Sequence, residues 1–292
     1  MKKQILITFA IFFILGFIIS VALSYDKERR INMYLSDQLT MSNTQFDVTY
    51  KGYSTLSQSI YNSIISNKQI IKLMSDAGNT TSLVKQNEIR KELYDSLTSI
   101  YQDWGAMGIK QIHFHLKNNV SFLRMYAPSK FGDDLTSFRY SVKFVNQTQT
   151  PTDGLEMGKL GNGFRFVYPL IDSHSTHIGS VEISIPVEDF LQRIEDSFNA
   201  QVHFLVDKKY VDNIASISDI MDDVYSKTDI SPQFYTLRSN KGDHVGSILP
   251  KTITKVMENK LLEKKPFYVY FKTNEGFYTI VTFLPIKNIE GN

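Results

Sequence analysis

The sequence predicts an α+β chain with an N-terminal transmembrane helix, a long stalk helix and two tandem modules with antiparallel sheets. Three observations carry this. Residues 5–23, ILITFAIFFILGFIISVAL, are uncharged and apolar over close to the length a helix needs to cross a bilayer core, about 20 residues. Apolar residues then recur at helical spacing as far as Trp104 and switch to a period of two from residue 109. Beyond that point short alternating strands are divided by Gly, Pro and Asn turns, in two successive blocks.

Composition agrees with a folded, extramembrane body. The 292 residues are 42% hydrophobic and 21% charged, unlike a disordered chain. With 20 Phe and 16 Tyr the chain is well supplied for sheet cores and pocket linings. It has no cysteine, which excludes disulfides, thiolate metal sites and cysteine nucleophiles. Once Lys2 and Lys3 are set aside, the 32 basic residues match the 30 acidic ones, so no global basic field exists for nucleic acid.

The elements follow in order. Residues 1–4 are a short cytoplasmic N-terminus and 5–23 the transmembrane helix. A signal-peptide core usually runs about 7–15 apolar residues, so an uncleaved anchor is expected, although VALSY offers a small-residue cleavage site. Lys2 and Lys3 before the segment are offset by Lys27, Arg29 and Arg30 after it, so charge does not orient it. Residues 24–75 read as a stalk helix with Leu56, Ile60, Ile64 and Ile71 on one face and a bend at Gly52. After the break DAGNTTS (76–82), Ile89, Leu93, Leu97, Ile100, Tyr101 and Trp104 make one helical face.

Residues 76–200 form the first module. In IKQIHFHL, Ile112, Phe114 and Leu116 share one face and His113 and His115 the other. The strand VSFLRMYA pairs with it as a hairpin. Pro128 and Gly132 break the chain, and Leu135, Phe138, Val142 and Val145 predict a short helix capped by Asp134. Three strands follow: GLEMGKL, GFRFVYPLI and HIGSVEISI. Pro186 opens a helix with the stripe Val187, Phe190, Leu191, Ile194 and Phe198. This order is that of a PAS-like module, a five-stranded sheet with a pocket under the 121–139 excursion. Residues 201–292 are a second such module: a strand in AQVHFLVD, an acidic helical stretch near 212–226, a helix near 251–263 and the strands FYVYFKT and GFYTIVTFLPIK joined by an NE turn. The first half continues past VYPLID into a last strand, whereas FLPIKNIEGN does not. The second module is therefore expected to be cut before its final strand, with that strand and a second membrane helix after Asn292.

Residues 114–182 resemble a known family. The elements are FHL, SFLR, P-x-x-x-G-D-D-L-x-x-F-R, G-x-E-x-G, the Arg165–Pro169 strand and GSVE. In this order and spacing they are similar to the double Cache sensors (subtype dCache_3) of bacterial sensor histidine kinases and diguanylate cyclases. The resemblance implies two stacked PAS-like modules between two transmembrane helices, facing the periplasm from the inner membrane. It implies a small-molecule ligand in the membrane-distal module, a homodimeric receptor and a signalling output elsewhere. No catalytic signature of such an output is present, and no enzyme activity or cofactor is expected of the chain. Carried onto these motifs, the ligand-binding candidates are His115, Arg124, Tyr126, Asp133, Asp134, Phe138, Arg139, Glu156 and Arg165. Tyr126 stands where the family often has His, and the amino-acid signature of another double Cache subtype is not found.

The residues also allow plainer roles. Arg124 and Arg139 suit a carboxylate, because guanidinium pairs bidentately with it, or they pin the excursion by pairing with Asp133, Asp134 or Glu156. His113 and His115, with His174 and His177, lack a third metal ligand, so no metal site is expected. GKLGNG lacks the Gly-Lys-Ser/Thr of a phosphate loop. The alternative to a sensor is a tethered interaction or dimerisation module recognising a periplasmic protein.

Overall fold

A computed structural model describes residues 2–158, 161–212, 224–228, 230–238, 249–273 and 275–291. The chain divides into two compact units: Met1–Gln45 with Pro250–Pro285, and Phe46–Leu249 with Ile286–Asn292. Helix α1 (Lys2–Ser66) supplies residues to both.

In the first unit, the apolar start of α1 is long and apolar enough to cross a membrane, and its large residues are exposed. The strands β9 (Phe267–Lys272) and β10 (Tyr278–Phe283) pair antiparallel, as their alternation predicts. Phe267, Val269 and Phe271 are buried while Tyr268 and Tyr270 face outward. Thr282 Oγ1 donates to Ser42 Oγ at 2.9 Å, tying β10 to α1. Helix α7 (Lys251–Leu262) starts after Pro250, where the missing N–H costs no intrahelical bond. The expected turn residue Asn274 lies outside the described residues.

The second unit is built on one five-stranded antiparallel sheet. Its strands are β1 (Gln111–Leu116), β2 (Ser121–Arg124), β3 (Thr152–Gly158), β4 (Gly161–Ile171) and β5 (His177–Pro186), in the order β2-β1-β5-β4-β3. The hairpin and the three later strands stand where the alternation placed them. Part of the GKLGNG connection, residues 159–160, is outside the described residues. Side chains alternate between faces along each strand. One face carries Ile112 and Phe114, Val181, Ile183 and Ile185, and Phe164, Phe166 and Tyr168, all buried.

Helices cover that apolar face. The bend expected at Gly52 is absent, since α1 runs through it. The chain breaks at Asn67 instead, whose Oδ1 accepts from the N–H groups of Gln69 and Ile70 and so starts helix α2 (Lys68–Asn79). The expected break therefore narrows to residues 80–82, and Ser82 caps helix α3 (Leu83–Ala106). From Phe46 onward α1 is core rather than bare stalk. Tyr61 stacks on Tyr168 with ring centroids 4.5 Å apart, and Phe46 packs edge-on against Phe164 and against Phe190 of helix α5 (Val187–Phe198).

The other face carries polar residues and is buried too. Helix α4 (Tyr140–Thr148) and the segment leading into it cover it. The short helix predicted from Leu135 thus begins five residues later. Asp134 does not cap it. Its Oδ1 accepts from the N–H and hydroxyl of Thr136, closing a local turn. The N-terminus of α4 is held from the sheet, where Glu156 Oε1 accepts from the N–H of Ser141 at 2.9 Å.

Three further strands, β6 (Leu205–Asp207), β7 (Tyr225–Lys227) and β8 (Phe234–Leu237), form a separate sheet in the order β6-β8-β7, with helix α6 (Lys208–Asp212) after the first. Most of the acidic helical stretch predicted near 212–226, residues 213–223, lies outside the described residues. Residues 286–291 return to the main sheet, where the Ile289 N–H donates to the Leu155 carbonyl at 2.8 Å.

Candidate ligand-binding site

Register places the polar residues. Arg124 of β2 is opposite His113 of β1, His113 is opposite Glu182 of β5, and Glu182 is opposite Val167 of β4. One residue pair along, Arg165 of β4 lies opposite Ser184 and Gly154, and Glu156 follows two residues on. Directly opposed residues share a face, so Arg124, His113, His115, Glu182, Arg165 and Glu156 all stand on the covered polar face.

Arg139 closes this layer from above. It donates from Nε to Glu156 Oε2 at 2.9 Å and from Nη2 to Glu182 Oε2. Arg165 Nη1 donates to the other Glu182 oxygen, and its Nε reaches the Glu156 carbonyl at 3.4 Å. Two guanidinium groups and two carboxylates therefore form a charge-balanced buried network. Burial alone would raise the Glu182 pKa, but Arg139 and Arg165 outweigh it and hold the carboxyl well below its usual range. Burial likewise opposes charge on Arg139, and Glu182 and Glu156 reverse that and raise its pKa.

The two histidines are neutral members of the same layer. Burial lowers both: His115 to about 3, and His113 well below its usual value with a further push from His115. His113 Nε2 hydrogen-bonds with Ser121 Oγ at 2.7 Å and His115 Nδ1 with Ser180 Oγ at 3.1 Å. His115 Nε2 is buried without a hydrogen-bond partner among the described residues, 4.0 Å from Glu182 Oε2. His113, His115 and Glu182 are close enough to share a metal ion. Both Glu182 oxygens already accept from guanidinium groups, however, which puts positive charge where a cation would sit.

The 121–139 stretch is a return hairpin. After β2 it turns at 125–130 and comes back beside residues 119–121, with the N–H groups of Gly132, Ser121 and Leu135 bonded to Ser121, Asp133 and Asn119 carbonyls. Arg124 locks it by gripping Asp133 through two 2.9 Å bonds and the Lys130 carbonyl through one of 2.7 Å. Buried Arg90 of α3 holds it from behind, its guanidinium 3.5 Å from the Phe131 ring centroid.

Beside this hairpin lies a cavity of about 440 Å³. Of the sequence-predicted residues, Arg124, Tyr126, Asp133, Phe138, Arg139 and Arg165 line it. His115 and Glu156 sit in the buried network, and exposed Asp134 is in the local turn. The wall also includes Gln111, Lys130, Phe131, Leu135, Asn162, Pro186 and Glu188, which sequence reasoning missed. It also missed Glu182 as the partner of both arginines. Its signal was a lone carboxylate inside the otherwise uncharged strand segment GSVEISI.

A family model described as the double sensory domain of two-component sensor kinase, dCache_3, matches residues 49–292. A search of the curated proteins finds no match. Among solved structures, the chain is similar to a domain described as of a sensory box/GGDEF family protein from Vibrio parahaemolyticus. Identity there is 13%, covering 88% of this chain and 98% of that one, with a TM-score of 0.40. It is also similar to the ligand-binding domain of the Campylobacter jejuni chemoreceptor Tlp3 in complex with L-norvaline, at 13% identity over 84% of this chain and 85% of that one, with a TM-score of 0.43.

Proposed function

The chain belongs to the dCache_3 double sensory domain family, and from that premise we propose that it is the extracytoplasmic sensing region of a membrane-bound bacterial receptor of histidine kinase or diguanylate cyclase type. A small molecule binds in the cavity beside the 125–139 hairpin. The observation that carries this reading is the cavity itself. Its volume of about 440 Å³ is in the range of small-molecule sites, about 300–1,000 Å³. Its wall mixes aromatic surface with a few convergent polar groups, as such sites do.

Occupancy favours one arrangement of the hairpin and its cover, and a ligand shifts that equilibrium only by its differential affinity for the two states. Two connections give the shift a route. Arg90 ties the hairpin to α3, and the apolar face of the same sheet packs on α1. That helix continues into the uncharged segment 5–23, which anchors the chain in the inner membrane with the bulk outside the cytoplasm. The chain does no chemistry in this reading.

Thermal-shift screening of the whole chain in lipid nanodiscs, against neutral, cationic and anionic metabolites, tests it. At least one compound should raise Tm in a saturable way, and Phe138→Trp, which fills the cavity, should abolish the rise. If no compound of any class stabilises the chain, direct small-molecule sensing is wrong.

A further inference from the structure

Resting on that reading, we propose that the cavity selects a monocarboxylate with an apolar or aromatic body and no ammonium group, held by the spare N–H groups of Arg139 and Arg165. A guanidinium has five N–H donors. Arg139 spends Nε and Nη2 on Glu156 and Glu182, and Arg165 spends Nη1 on Glu182 and Nε on the Glu156 carbonyl. Arg139 Nη1 and Arg165 Nη2 have no acceptor among the described residues. Neither is among the buried unpartnered atoms, so neither is sealed away. Both residues line the cavity. Because they grip the two oxygens of one carboxylate, Glu182, they stand side by side, an arrangement suited to a second carboxylate on the open side.

The spare donors limit that group to a single carboxylate. The two arginines are already balanced by Glu156 and Glu182. Arg124 is closed by its two bonds to Asp133, and Lys130 is exposed. The network therefore offers directed donors rather than surplus charge, and its spare Arg139 Nη1 and Arg165 Nη2 groups serve one carboxylate and leave none for a second. An ammonium group fares no better. Of the lining carboxylates, Asp133 is held by Arg124 and Glu188 is exposed. The amide of Asn162 is neutral and does not repay the desolvation of a cation. The rest of the wall is uncharged and largely apolar, with Phe131, Leu135, Phe138 and the ring of Tyr126 among its residues.

The test uses the whole chain in nanodiscs and a panel of acetate, 2-methylpropionate, benzoate and phenylacetate, each beside its primary amide, with L-phenylalanine as the zwitterion. At least one acid should bind saturably by calorimetry and its amide at least about tenfold more weakly, as expected for losing a charge-assisted pair of bonds. Arg165→Gln should remove that preference. Phe138→Trp, outside the ion network, should remove binding even if the arginine variant fails to fold. Binding of an amide or of L-phenylalanine as tightly as the matching acid overturns the inference and leaves the small-molecule reading standing. So does stabilisation by another class of compound when no panel acid binds. Absence of stabilisation by every class overturns both.

Discussion

Arg139 and Glu182 form an ion pair buried between the sheet and its cover, with side chains only 7% and 2% exposed. The pair joins the covering segment to the middle strand of the sheet, and Arg165 shares it from the neighbouring strand. Removing one partner of such a buried pair leaves an uncompensated charge, at a cost of about 3–5 kcal/mol. Glu182→Gln should therefore lower the unfolding free energy in urea by about 3 kcal/mol. A loss below about 0.5 kcal/mol, the usual range for surface changes, would show that Glu156 alone neutralises both arginines.

The histidines set a pH dependence of definite sign. His115 has a folded-state pKa of about 3, against an ordinary value of 6.5, and His113 is lowered in the same direction. Below about pH 6.5 the unfolded chain binds protons that the folded chain does not, so stability falls as pH falls. The slope is at most about 1.4 kcal/mol per pH unit for each histidine. The contribution of Glu182 is lost only at lower pH, below the ordinary carboxyl range, because its folded pKa is depressed. Urea midpoints between pH 7.5 and 5.5 should decline, and His115→Asn should flatten the decline by about half. A midpoint independent of pH in this window rules out buried neutral histidines.

Two glycines should respond very differently to alanine. At Gly179 (φ +149°) a Cβ would lie 2.2 Å from the His115 carbonyl oxygen, inside the β1–β5 ladder. Neither backbone can yield without breaking the register, so Gly179→Ala should cost more than about 4 kcal/mol and yield little folded protein. At Gly132 (φ +87°) a Cβ meets nothing, and Gly132→Ala should cost only the left-handed backbone penalty, about 1–2 kcal/mol. Thermal melts of the two variants decide it, and equal losses would contradict the packing difference.

Arg90 should control how firmly the hairpin is held. Besides facing Phe131, its Nε donates to the Phe122 carbonyl at 2.6 Å. Lysine keeps the charge but loses the planar group that stacks and bonds at once. Arg90→Lys should speed amide exchange at Lys130, Gly132 and Leu135 by about tenfold, corresponding to about 1.4 kcal/mol, with β4 and β5 unchanged. Unchanged exchange in the hairpin would mean that Arg124 and Asp133 hold it unaided.

The sequence by itself determined the periods. The uncharged run at 5–23, the helical stripe Ile89–Trp104, the strands around Phe114, Phe166 and Ile183, and the stripe of α5 are written in local order, because each element buries apolar residues at its own spacing. The motif string from FHL to GSVE likewise identified the family. Tertiary structure alone decided who meets whom. Arg139 is distant in sequence from Glu182, and only the β2-β1-β5-β4-β3 order with its register brings Arg124, Arg165 and Glu182 to one face beneath it. The same holds for Asp134, whose side chain prefers the nearer Thr136, while the start of α4 is capped from another strand by Glu156. Periodicity follows from the geometry of one element. Charge pairing follows from the closure of several, and it is stable only once the cover has removed water from around it.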